Sequence, residues 1–121
     1  MKADDIAPLL TVSDAVYQKE LRAISDILTE EGKLRRAIVR LNESRAQAPT
    51  GSTELGFAMQ ATGAETAWRM WLERRLTELN AELARLLARK AKEMEKVRRA
   101  FGQREALAML ETQLRTENQA S

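Results

Sequence analysis

The sequence predicts an all-α protein: an antiparallel two-helix coiled-coil hairpin with a longer second helix. Three observations carry that reading. The 121 residues are 44% hydrophobic and 31% charged but only 4% aromatic, and Ala, Leu, Glu, Arg and Lys supply more than half of them. That usage belongs to long helices and coiled coils. Helix breakers gather in one window, with Pro49, Gly51, Gly56 and Gly63 inside Gln47–Gly63. On either side of it, apolar residues recur at steps of three and four, the spacing of one helical face.

The first helix is expected over about residues 13–45. Thr11 or Ser13 can cap it, and Asp14 and Glu20 place negative charge near its start, where the helix dipole favours it. Its apolar stripe reads Tyr17, Leu21, Ile24, Leu28, then Leu34, Ile38 and Leu41, with Ile27 bridging the halves. Gly32 costs about 1 kcal/mol against Ala inside a helix. The unbroken stripe argues that the helix passes through it.

The connector is expected over about residues 47–63. Thr50 to Thr53 has no apolar anchor and is expected to be mobile, whereas Leu55, Phe57 and Met59 are placed to dock on the hairpin tip. The second helix is then expected over about 64–118. Thr62 and Glu65 fit a capping box, in which side-chain oxygens satisfy orphan backbone N–H groups. Its stripe reads Trp68, Leu72, Leu76, Leu79, Leu83, Leu86 and Leu87, Met94, Val97, Phe101, Leu107, Leu110 and Leu114. Two successive steps of four through Leu79, Leu83 and Leu87 predict a stutter, a local unwinding of a left-handed supercoil. Arg89–Glu93, Glu95–Arg99 and Glu111–Arg115 are i,i+4 pairs worth a few tenths of a kcal/mol each.

These lengths do not match. Thirty-three residues cannot cover fifty-five, so Val97 to Leu114 is expected to need another partner: residues 1–12, through Ile6, Leu9, Leu10 and Val12, a second protomer, or a foreign protein. One domain accommodates the whole chain.

The net charge of +2 averages two opposed segments. Residues 1–32 carry seven acids against three bases, a net −4, and residues 85–104 carry eight bases against two acids, a net +6. Folding back would let them attract; otherwise each is offered to another molecule. With no His and no Cys, no structural zinc site, disulfide, thiol chemistry or His-based nucleophile system can be built. Glu78 and Glu82 share a helix face, but without a His partner they read as solvated charge. Neither a metal nor a cofactor is expected, nor an enzymatic activity.

The start lacks a signal peptide's cationic and apolar regions, and no apolar run approaches the roughly 18 residues of a membrane span. The expectation is a soluble, cytoplasmic protein with no membrane insertion. The basic run at 85–104 is spread around its helix and broken by Glu93 and Glu95, with no stacking platform beside it. It reads as a solvated or partner-facing surface rather than a nucleic-acid interface. Trp71 sits about 100° round from Leu72 and is hard to bury in a two-helix structure, which makes it a candidate partner contact. Phe101, Leu107 and Leu110 join it from the overhang, together with Arg98, Arg99 and Arg104.

Two coiled-coil helices, a polar connector and a long second helix rich in Arg, Lys and Glu resemble the FliJ-type (YscO-like) proteins of flagellar and type III export. The likeness is closest from Arg85 onward, in Lys96-Val-Arg-Arg-Ala-Phe101-Gly-Gln-Arg-Glu-Ala-Leu-Ala-Met-Leu110-Glu. The resemblance implies a cytoplasmic rod like the stalk of a rotary ATPase, entering the export ATPase ring and touching the export gate. Val97 to Leu114 would then meet the ring, with Arg98, Arg99 and Arg104 against acidic subunit surfaces. The chain is shorter than typical members of that family. A self-associating structural coiled coil, dimeric or tetrameric, is the alternative, and a small secretion chaperone a third.

Overall fold

The computed structural model describes residues 2–47 and 63–120. Two helices pack against each other as an antiparallel hairpin: α1, Ala3–Ala46, and the longer α2, Ala64–Ala120. The expected anchoring of Leu55, Phe57 and Met59, the expected mobility at 50–53 and the Thr62 cap lie outside the described residues.

Helix α1 begins ten residues before the position expected. Asp5 Oδ2 accepts a hydrogen bond from the Lys2 backbone N–H at 3.0 Å. A carboxylate three residues into the helix thus satisfies the donor at its entry, and Asp4 and Asp5 both suit the positive end of the dipole. Pro8 lies inside α1; so near the N-terminus it forfeits one backbone bond without ending the helix. Neither expected cap acts as one. Ser13 is internal, and Thr11 Oγ1 donates to the Ala7 carbonyl at 3.2 Å. Helix α1 continues through Gly32, where an added Cβ would meet only the flexible Arg36 guanidinium.

At the start of α2, Gly63 takes a φ of 76°, open to glycine at no cost, and its carbonyl accepts from the Ala67 N–H at 3.2 Å. Glu65 Oε1 accepts from Arg69 Nη2 at 2.8 Å.

The most continuous line of burial follows a heptad from Ala3 to Leu41 on α1 and from Leu72 to Leu114 on α2. Along α1 the buried and half-buried seam is Ala3, Ile6, Leu10, Ser13, Tyr17, Glu20, Ile24, Ile27, Glu31, Leu34, Ile38 and Leu41. Along α2 it runs Leu72, Leu76, Leu79, Leu83, Leu86, Lys90, Glu93, Val97, Ala100, Arg104, Leu107, Glu111 and Leu114. Steps of three and four alternate throughout, the pattern of knobs entering holes. The expected stutter is therefore absent: Leu86 is 2% exposed and Leu87 36%. Leu28 likewise leaves the expected stripe, at 49% exposed, and Ile27 takes the seam.

The chain divides into two compact units. The first comprises 1–28 with 88–121 and the second 29–87. In the second, the seam of α2 is entirely leucine from Leu72 to Leu86. In the first, Ile6 is fully buried, and a cleft lined by Lys2, Ala3, Asp4, Arg115, Asn118 and Gln119 places the start of α1 beside the end of α2. Residues 3–12 thus lie along the stretch expected to overhang. Val97, Leu107 and Leu114 are half-buried within the chain.

Candidate functional site

Within the first unit, the two flanks of the α1–α2 seam differ in chemistry. On one, Tyr17 and Phe101 pack with ring centres 5.7 Å apart and planes tilted by 53°. The Arg104 guanidinium carbon lies 4.5 Å from the Tyr17 ring centre and 5.7 Å from that of Phe101. Its Nη1 donates to Asp14 Oδ1 at 3.1 Å, and its Nη2 reaches Glu105 at 3.4 Å. The acidic start of α1 and the basic run of α2 thus meet here, and Arg104 is committed within the chain. Phe101 remains 45% exposed. Arg98, one helical turn before it, is exposed and joins no ion pair among the described residues.

The other flank holds a shallow groove of about 160 Å³ lined by Val16, Glu20, Lys96, Arg99, Ala100 and Gln103. Arg99 is exposed and also without an ion pair among the described residues, so the expected Glu95–Arg99 bridge does not form. Glu111–Arg115 does form, at 3.7 Å. On α1, the residues just before successive seam positions are Leu9, Val12, Val16 and Lys19. Leu9 is 49%, Val12 62% and Val16 42% exposed.

Between the flanks, in the seam, stands Glu93. It is 8% exposed, and its Oε1 is buried with no hydrogen-bond partner among the described residues. The adjoining Glu20 carboxyl as a hydrogen-bonding neighbour, then burial, then the Glu20 charge raise its pKa above the usual carboxylate value. Lys96, with Nζ 3.8 Å from Oε2, and Lys19 pull the other way.

In the second unit, Trp68 is half-buried beside a cleft it lines with Arg45, Arg69, Leu72 and Glu73. Arg45 Nη1 meets Glu73 Oε1 across the two helices at 3.1 Å. Trp71 stands off the seam at 51% exposed, next to Met70 at 58%.

The residues singled out from the sequence thus separate. Trp71 belongs to the second unit and the other six to the first. Phe101 and Arg98 share one flank, and Arg99 stands on the other. Leu110, 36% exposed, lies on the Arg99 flank by heptad spacing, whereas Leu107 and Arg104 are seam residues. Sequence reasoning missed Asp14 and Tyr17 as Arg104's partners, and it set Leu9 and Val12 to cover the overhang, whereas both are exposed and continue into Val16 as a strip. Their signal was the heptad register of α1, hidden while the helix was started at residue 13. Among the described residues, no group of three or more His, Cys, Asp and Glu side chains is placed to hold a metal ion, and no helix is long and apolar enough to cross a membrane. Comparison with family models, with curated proteins and with solved structures finds no match to this chain.

Proposed function

We propose that this chain is a non-catalytic interaction protein of the FliJ (YscO-like) kind, a stalk- or chaperone-like component of a flagellar or type III export ATPase complex. The observation that carries this reading is the Phe101 flank. A half-exposed ring, held by Tyr17 and Arg104, sits beside Arg98, which joins no ion pair among the described residues. Aromatic and arginine anchors fixed in place are the usual energetic centres of protein interfaces. The hairpin with a longer second helix supports the same reading. So does the resemblance of Lys96 to Glu111.

Co-purification with the export ATPase of the same cell tests it, using Phe101→Ala, Arg98→Ala and Arg99→Ala. Loss of capture by the Phe101 and Arg98 variants, with helicity unchanged, is the expected result. Capture that survives all three changes refutes it.

A self-associating structural hairpin is the second reading, and exposed Met70 and Trp71 favour it. Sedimentation separates the two: a monomer fits the export component, and an obligate dimer dissociated by Trp71→Ala fits the structural coiled coil.

A further inference from the structure

We propose that the Val16 flank of the first unit docks an amphipathic helix of a partner protein, apolar on its buried stripe and acidic along one edge. This rests on the reading of the chain as an interaction protein, but not on the export ATPase as its partner.

Helical spacing defines the surface. On α2, the residues preceding successive seam positions are Lys92, Lys96, Arg99, Gln103, Ala106 and Leu110, at alternating steps of four and three. On α1, the matching positions are Leu9, Val12, Val16 and Lys19. The groove lined by Val16, Lys96, Arg99 and Gln103 shows that the two rows adjoin. One stretch is thus apolar, through Leu9, Val12, Val16, Ala106 and Leu110. The other is cationic, through Lys19, Lys92, Lys96 and Arg99.

Rows of this kind receive a third helix. Ridges three and four residues apart on a partner enter such a groove side by side. From Lys92 to Leu110 the α2 row spans about 27 Å at 1.5 Å per residue, which is five turns. The groove's 160 Å³ suits a single side chain such as a leucine, well below the roughly 300 Å³ at which small-molecule sites begin.

Charge selects the occupant. Arg99 joins no ion pair among the described residues, and Lys96 is engaged only by Glu93 at 3.8 Å. Glu20 is the one acid lining the groove. A second copy placed across this flank by a two-fold axis would bring the lysines and arginines of both copies onto one interface. An acidic edge on a foreign helix meets them with opposite sign.

The probe is a synthetic 18-residue helical peptide with leucine at heptad seam positions and glutamate along one flank. Two controls accompany it: the same peptide with lysine for glutamate, and one of identical composition with the leucines dispersed. Fluorescence anisotropy on the full chain should show binding of the glutamate peptide alone. A Lys96→Glu, Arg99→Glu variant should weaken it at least tenfold and admit the lysine peptide instead. Val16→Asp should abolish binding of both, with helicity unchanged by circular dichroism because these side chains are exposed.

Equal binding of all three peptides, no binding of any, or indifference to the charge reversal overturns the proposal. So does a dimer in sedimentation that Val12→Glu dissociates, since the flank then belongs to a second copy. Loss of ATPase capture in Phe101→Ala with peptide binding intact keeps the two readings distinguishable.

Discussion

Arg104 pins Tyr17 across the hairpin: its guanidinium carbon lies 4.5 Å from the ring centre while its Nη1 bonds Asp14 at 3.1 Å. A partly exposed cation over an aromatic ring contributes about 0.5–1 kcal/mol, and an exposed ion pair about 0.2–1. Arg104→Ala should therefore destabilise the protein by about 1 kcal/mol in urea unfolding. Arg104→Lys should recover less than half, because an ammonium lacks the planar fork that serves ring and carboxylate together. A double-mutant cycle with Tyr17→Leu should give a coupling of about 0.5 kcal/mol or more; additivity would dissolve the pairing.

Glu93 makes stability depend on pH in an unusual direction for a carboxylate. Its folded pKa stands above the unfolded 4.5, raised by Glu20 and by burial against the pull of Lys96 and Lys19. Between those two values the folded state binds more protons than the unfolded one, so stability falls as pH rises. The contribution is complete below pH 4.5 and is lost on passing the folded pKa. Glu93→Gln imitates the protonated acid and should melt higher than the parent at pH 7, with the gap closing toward pH 4.5. A gap that is constant with pH would rule this out.

Adjacent leucines should behave differently. Leu86→Ala removes a side chain that is 2% exposed and should cost about 2–5 kcal/mol. Leu87→Ala, at a position 36% exposed, should cost less than about 1 kcal/mol. Equal losses would restore the stutter that the sequence suggested and the burial pattern removes.

Ser13 occupies a seam position of α1, and its buried Oγ has no hydrogen-bond partner among the described residues. An unsatisfied buried hydroxyl costs about 1–3 kcal/mol, and alanine is the better helix former. Ser13→Ala should accordingly raise the melting temperature, by about 1 kcal/mol of stability. A lower melting temperature would mean that the hydroxyl has a partner in solution.

The hairpin was legible from the sequence because breakers and stripes are local signals. Leu72, Leu76 and Leu79 fall in the seam as read. What escaped is whatever depends on register. Glu20, Glu31, Lys90, Glu93 and Arg104 are charged seam residues, so a search for apolar stripes stepped around them to Leu21, Leu28 and Leu87. The early start of α1 was hidden by Pro8, ordinarily a boundary, and by capping from Asp5, since a carboxylate reaching back to Lys2 leaves no Ser or Thr signature. Of the residues singled out from the sequence as candidate partner contacts, Trp71, Arg98, Arg99 and Phe101 are exposed. Their division between units and flanks required knowing which position each holds relative to the seam.

The contrast between an all-leucine seam at 72–86 and a seam broken by Ser13, Glu20, Lys90, Glu93 and Arg104 bears on the order in which the hairpin opens. Amide protons of the leucine stretch should exchange with solvent only when the whole chain unfolds. Those from Lys90 to Arg104, where Lys90, Glu93 and Arg104 interrupt the apolar seam, should exchange through partial opening at lower free energy. The stretch that presents Phe101, Arg98 and Arg99 is then also the one that separates first. A partner that seats there would close it, and would be detected as slowed deuterium uptake confined to those residues.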